Sequence, residues 1–271
     1  MQAKVRGFDE MIVFVTLGRI LLGASFAFDG AWWLWTWDVR AAYLEDAGAP
    51  SFVIPVIAAV YLVAGTLLAL GRAARPCILA LVAVVGLITM LVHTDLGPGG
   101  IGEYPMDAHA RLNTNALLLQ VGLAGSLMLA FAAPNSALLP DPRTVVLGRS
   151  LLGIYFLADG LYLALYFETI VENLADSSAR TALLVSAIGI QIAFGLLLAS
   201  ARSPRATSMV LALVVIVSTL TIPASVAGLT NSMEVRVHEW FVGASLLAGL
   251  WIVFGLGPAA TPVPPPPKKI G

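Results

Sequence analysis

One cysteine, Cys77, and three histidines are all this chain has of the residues that most often bind metals or carry thiol chemistry. A single cysteine excludes an intrachain disulfide and a dithiol relay. Cys77 therefore reads as a small apolar packing residue on the third helix. Charge is equally scarce. Only 11% of the 271 residues are Asp, Glu, Lys or Arg, against about 25% in a soluble domain. No phosphate-binding glycine loop, nucleophile elbow or nucleic-acid signature is present, and "GPGGIG" lacks the flanking strand and helix that would give it meaning. No catalytic group can be named from these residues, and none points to nucleic acid as a partner.

What is present is apolar surface. Hydrophobic residues make up 59% of the chain, and the mean hydropathy is +0.90. Ser51–Gly71, Leu112–Ala133 and Thr181–Ala201 each run for about 20 residues without a formal charge, the length that crosses about 30 Å of hydrocarbon. Cys77–Val92, Ala206–Thr230, Met11–Leu34, Thr144–Phe167 and Trp240–Gly257 complete a set of eight. The pattern predicts an all-α polytopic membrane protein with eight transmembrane helices, in contact with the lipid bilayer. Placing the amino terminus in the cytoplasm puts eleven basic residues inside, Arg72, Arg75, Arg143, Arg202 and Arg205 among them. Only Arg40, Arg111, Arg180 and Arg236 then lie outside. That bias predicts cytoplasmic termini. The opening "MQAKVRGFDEMIVFVTLGRILLGASFA" reads as a retained first span, because its motif recurs deep in the chain.

The recurrence is specific. "LGRILLGASFAFDG" (17–30) and "LGRSLLGIYFLADG" (147–160) agree at nine of fourteen positions, offset by 130. Gly65 aligns with Gly195, and Arg72 and Arg75 align with Arg202 and Arg205. Two tandem four-helix repeats follow, residues 1–133 and 144–257. They are joined by a proline-broken linker at 134–143 and followed by a proline-rich cytoplasmic tail at 258–271. An even number of spans per repeat makes the two copies parallel, related by an axis along the membrane normal. Tight basic turns are expected inside and longer loops outside.

Within the first span Arg19 and Asp29 are ten residues apart, about 15 Å along a helix, so they do not pair. Gly23 and Gly30 allow a second backbone to approach. Asp29 and Asp159, with Arg19 and Arg149, form a candidate intramembrane polar site. Carboxylates at that depth either bond neighbouring helices or line a binding site, whereas the arginines suit anchors that snorkel to the interface. His93, Asp95, Asp107, His109, His238 and Glu239 all fall at outer helix ends. They are candidates for proton relay or a divalent metal, with solvated interfacial side chains as the plainer reading. "WWLWTW" (32–37) suits an aromatic belt, or else a wall for a flat ring.

The segments "LGRILLGASFAFDGAWWL" and "AGTLLALGRAARPCILALVAVV" resemble the DoxX-like superfamily, whose four-helix unit begins with an Arg-containing span and a Gly-rich second span. The resemblance extends to both repeats through Arg19/Arg149, Gly23/Gly153, Gly30/Gly160 and Gly65/Gly195. Asp29 and Asp159 depart from it, standing where a smaller polar residue is expected. It implies a multi-pass protein of the inner (plasma) membrane, similar to membrane subunits of thiosulfate:quinone oxidoreductase. Such a subunit works beside a soluble or membrane oxidoreductase partner in a quinone-linked or detoxifying system. The chain itself has no redox cofactor motif, so quinone is the cofactor implied. Two other functions fit the residues. A small-solute or ion transporter would bring Asp29 and Asp159 to one shared cavity, and a non-catalytic scaffold would use them as structural bonds.

Overall fold

The computed structural model describes residues 2–38, 41, 50, 52–90, 108–133, 140–173, 178–221 and 233–257. Among them all regular structure is helical. In chain order the helices are α1 (Gln2–Trp35), α2 (Val53–Ala69), α3 (Ala74–Ile88), α4 (Ala108–Ala132), α5 (Pro142–Leu165), α6 (Phe167–Asn173), α7 (Ser178–Ala199), α8 (Pro204–Thr221) and α9 (Met233–Leu256). Eight of them overlie the eight apolar runs. The short α6, "FETIVEN", falls where the sequence suggests only an outer loop. Its two glutamates interrupt the apolar pattern, and Ile170 between them is buried.

Ile12–Trp35, Pro142–Leu165 and Ser178–Ala199 are long and apolar enough to cross a membrane by length and composition. Val53–Ala69, Ala74–Ile88, Ala116–Ala132, Pro204–Leu220 and Trp240–Leu256 are apolar but shorter. The outside of the bundle is as oily as its interior. Trp35 is 84% exposed and Leu220 77%, and Val13, Phe28, Val56, Val63, Leu165, Leu196 and Leu213 are also exposed. Such a surface would aggregate in water and is stable against lipid. The protein is a membrane protein.

Helix order around the bundle follows from which faces meet. α1 packs on α2, α2 on α3, α3 on α4, α4 on α5, α5 on α7, α7 on α8, α8 on α9, and α9 returns to α1; α4 and α9 meet across the middle. Besides α2, α1 docks on α9 and only marginally on α4, while α5 docks on α4. One buried apolar cluster runs from Val15 to Leu256 through eight helices, and a satellite cluster of Tyr166, Ile170 and Leu184 lies under α6.

Glycines set the closest crossings. A Cβ on Gly23 would lie 2.4 Å from the Ala69 nitrogen and 2.6 Å from the Gly65 oxygen, and one on Gly65 would meet Ala27 and Gly23 backbone. Gly153 and Gly195 make the corresponding pair between α5 and α7, and Gly125 and Gly148 make one between α4 and α5. At such distances only hydrogen fits, so the helices touch backbone to backbone, where dispersion is gained without a water-driven hydrophobic term.

The α2–α3 and α7–α8 turns are alike in detail. Gly71 (φ +71°) and Ala73 (φ +47°) are left-handed in the first, and Ala201 (φ +64°) and Ser203 (φ +46°) in the second. Gly71 N donates to Leu68 O and Arg72 N to Leu67 O; Ala201 N donates to Leu198 O and Arg202 N to Leu197 O. These bonds satisfy carbonyls that a helix end leaves open. The next helix is then tied back by a side chain, Cys77 Sγ to Arg72 O and Thr207 Oγ1 to Arg202 O. Arg75 and Arg205 each rest a guanidinium 5.7 Å from a ring centroid, of Phe131 and Phe254 respectively.

Candidate functional site

The apolar span Ile12–Trp35 of α1 carries two charges, Arg19 and Asp29, ten residues apart. Arg19 is half-buried, with its guanidinium against Gly71: a Cβ there would come within 2.9 Å of an Arg19 Nη. It thus sits at the carbonyl end of α2, where the helix dipole favours a cation. Arg149, at the same place in α5, is only 2% exposed. That corrects the expectation of a snorkelling anchor, since a side chain along the lipid face would be exposed. Gly148 lets α4 approach so closely that Arg149 is enclosed by protein.

Asp29 is 2% exposed near the other end of α1. Its neighbour Gly30 presses on α2, where an added Cβ would meet Leu62 N, Ala58 O and Tyr61 Cβ within 3 Å. Around this crossing the side chains are aromatic. Phe26 packs edge-on to Tyr61 (5.1 Å) and to Phe241 of α9 (5.3 Å), and Trp33 meets Tyr61 at 6.1 Å. Trp32 stands three residues from Asp29, one helical turn away on a neighbouring face. Its buried Nε1 has no acceptor among the described residues. Trp35 and Trp37 are exposed, as an aromatic belt requires, whereas Trp33 is buried.

Asp159 occupies the corresponding place in α5 and is half-buried. Gly160 presses on α7, against Gln191 and Ile192. The Gln191 amide lies within reach of the Asp159 carboxylate. Tyr155, one turn earlier, is buried and lies within the field of that carboxylate. Tyr61 and Gln191 are themselves 130 residues apart, so the same register position is a phenol in one place and an amide in the other. Composition gives Tyr61, Tyr155 and Gln191 no prominence. The offset of 130 is the signal that reaches Tyr61 and Gln191, and Gln191 is the only amide of α7.

The two aspartates lie on different helices, Asp29 next in sequence to the Gly30 crossing of α1 on α2 and Asp159 next to the Gly160 crossing of α5 on α7. Among the described residues α1 and α5 share no packed face. Of the outer-face candidates, His93, Asp95 and Asp107 lie outside the described residues. His109, His238 and Glu239 fall on helical backbone, with their side chains outside the description.

No curated protein and no solved structure matches the chain. Residues 14–94, which hold the α1–α2 glycine crossing, the left-handed turn at Gly71 and all of α3, match the DoxX family model.

Proposed function

We propose that this chain is a DoxX-like membrane subunit of a quinone-linked or detoxifying oxidoreductase system, with a quinone head group held beside Asp29. One observation carries the reading: the buried indole N–H of Trp32, with no acceptor among the described residues, stands one turn from the buried carboxylate of Asp29. A quinone oxygen accepts a hydrogen bond and its reduced hydroxyl donates one. An N–H and a carboxylate on one helix provide for both, and Phe26, Trp33, Tyr61 and Phe241 supply the flat apolar faces that suit a ring. Quinone would bring the two-electron chemistry. The chain's own residues would orient the ring, exclude water and hold a proton at the Asp29 carboxylate. Electrons would come from a partner protein.

The wider proposal is eight spans in two parallel four-helix repeats, 1–133 and 144–257, in an inner membrane with both termini cytoplasmic. It is supported by contacts that recur at an offset of 130: the Gly23–Gly65 and Gly153–Gly195 crossings and the two left-handed turns. It is also supported by the exposed arginines at 72, 143 and 202 near one end of the bundle.

Decylubiquinone titrated into the purified protein, followed by tryptophan quenching, tests the quinone reading. Saturable binding is expected, about tenfold weaker in Trp32→Phe and in Asp29→Asn, as the loss of one hydrogen bond to a buried group of about 1.4 kcal/mol requires. Absence of saturable binding by the unaltered chain would overturn it. The approach of the Gln191 amide to Asp159 favours a second reading, a scaffold in which the aspartates only tie helices together. Full retention of binding and of partner activity in Asp29→Asn would favour that instead.

A further inference from the structure

The Asp159 site differs from the Asp29 site in a way that points to a ligand of its own. Gln191 is 5% exposed and its amide lies within reach of Asp159, yet its Oε1 has no donor among the described residues. A buried amide oxygen without a donor is costly and demands an occupant. Asp159 has no basic partner among the described residues, and the residue is half-buried. The amide oxygen and the free carboxylate lone pairs are acceptors only, and together they carry one negative charge.

The rest of the surround is phenolic. Tyr155, Tyr162 and Tyr166 stand at −4, +3 and +7 from Asp159, all within about 60° of it on the face of one helix. Tyr162 and Tyr166 are in ring contact at 4.8 Å, and Tyr155 packs on Phe156 at 5.0 Å. Asp159 lies six residues before the end of α5, about 9 Å inside it, beneath the satellite cluster under α6. Acceptors with a negative charge, walled by aromatic rings, complement a cation with N–H donors. The position inside the apolar belt requires that cation to be carried on an apolar body.

We infer that Asp159, Gln191 and the tyrosines 155, 162 and 166 form a site for the primary ammonium group of an amphipathic amine. An aminolipid head group and a free alkylamine share this chemistry. The site stands apart from the one at Asp29 and Trp32.

The test uses the full chain in phosphatidylcholine nanodiscs, titrated calorimetrically with n-decylammonium. Saturable binding is expected, weakened at least tenfold in Asp159→Asn and in Gln191→Leu and unchanged in Gly86→Ala. n-Decyltrimethylammonium, with the same charge and chain but no N–H, should bind at least tenfold more weakly. Circular dichroism and gel filtration establish that each variant is folded, and Gln191→Leu decides the question if Asp159→Asn is not. Native mass spectra distinguish the sources. Retention of phosphatidylethanolamine over phosphatidylcholine, lost in Asp159→Asn, assigns the site to an aminolipid; decylammonium binding without that preference assigns it to a free amine. Equal binding by Asp159→Asn and the unaltered chain, or equal affinity for the quaternary amine, overturns the inference.

Discussion

Ala201 and Gly71 occupy the same turn position with φ of +64° and +71°. The left-handed region costs a residue with a Cβ about 1–2 kcal/mol, and glycine is free of that cost. Glycine also gains entropy in the unfolded chain, which offsets part of the benefit. Ala201→Gly should therefore stabilise the protein by about 0.5–1 kcal/mol, seen as a higher thermal midpoint in detergent; a lower midpoint would show that the turn is not under strain. Asp141 acts at the same scale. As the N-cap of α5 it accepts hydrogen bonds from the Thr144 side chain, Thr144 N and Arg143 N, with Pro142 at the first helical position. The Thr144 hydroxyl, then the Thr144 N–H, hold its carboxyl below its ordinary value of 3.8. A depressed carboxyl contributes stability that is present above its unfolded value and lost as pH falls through the folded one. Asp141→Ala should lower the thermal midpoint at neutral pH, and the difference from the unaltered chain should vanish well below pH 3.8. The helix break before α5 is legible in the prolines of "PDPR". The left-handed Ala201 is not, because alanine in a chain of letters gives no sign of its φ.

Among the helices, glycine content matters only where a second backbone arrives. Gly23→Ala would place a Cβ 2.4 Å from the Ala69 nitrogen, and neither rigid helix can yield without opening the crossing. A loss of roughly 1–3 kcal/mol is expected, the range for overpacking a filled interface. Gly86→Ala and Gly189→Ala meet no atom within 4 Å and should leave stability unchanged or slightly raised. Thermal unfolding of the set separates the two classes, and equal effects at Gly23 and Gly86 would contradict the backbone contact. Helix positions are largely legible from hydropathy, since a run of apolar residues in lipid has little choice but to close its own hydrogen bonds. Hydropathy misses α6, because seven residues with two glutamates are too short and too mixed to stand out as an apolar run. It also treats Arg19 and Arg149 alike, although one is half-buried at a turn and the other is enclosed.

At the scale of the whole molecule, α1 rests on α9 and α5 on α4, so neither run of four helices holds its own first span by its own last one. Residues 1–133 expressed alone would expose the face of α1 around Gly18 that meets Ala248 and Ile252, and the face of α4 around Gly125 that meets Gly148. The fragment should therefore be unstable or self-associate, whereas a chain cut within 134–139 and co-expressed as two pieces should assemble and co-purify. Gel filtration in detergent checks both outcomes; a stable monomer of 1–133 would contradict this packing.

The sequence by itself determined that the chain lives in a membrane, that it is helical, and where eight of its helices lie, because each depends on local composition alone. It also marked Asp29 and Asp159 as costly and placed them at one register, 130 residues apart. Only the tertiary structure decided that those aspartates stand next to different helix crossings, one beside an aromatic cluster and the other within reach of Gln191. The reason is that partners in a bundle are chosen by shape across space. The close approaches at Gly23, Gly125 and Gly148 put α2 on α1 and α4 on α5, and no run of residues along one helix specifies which backbone will fill its groove.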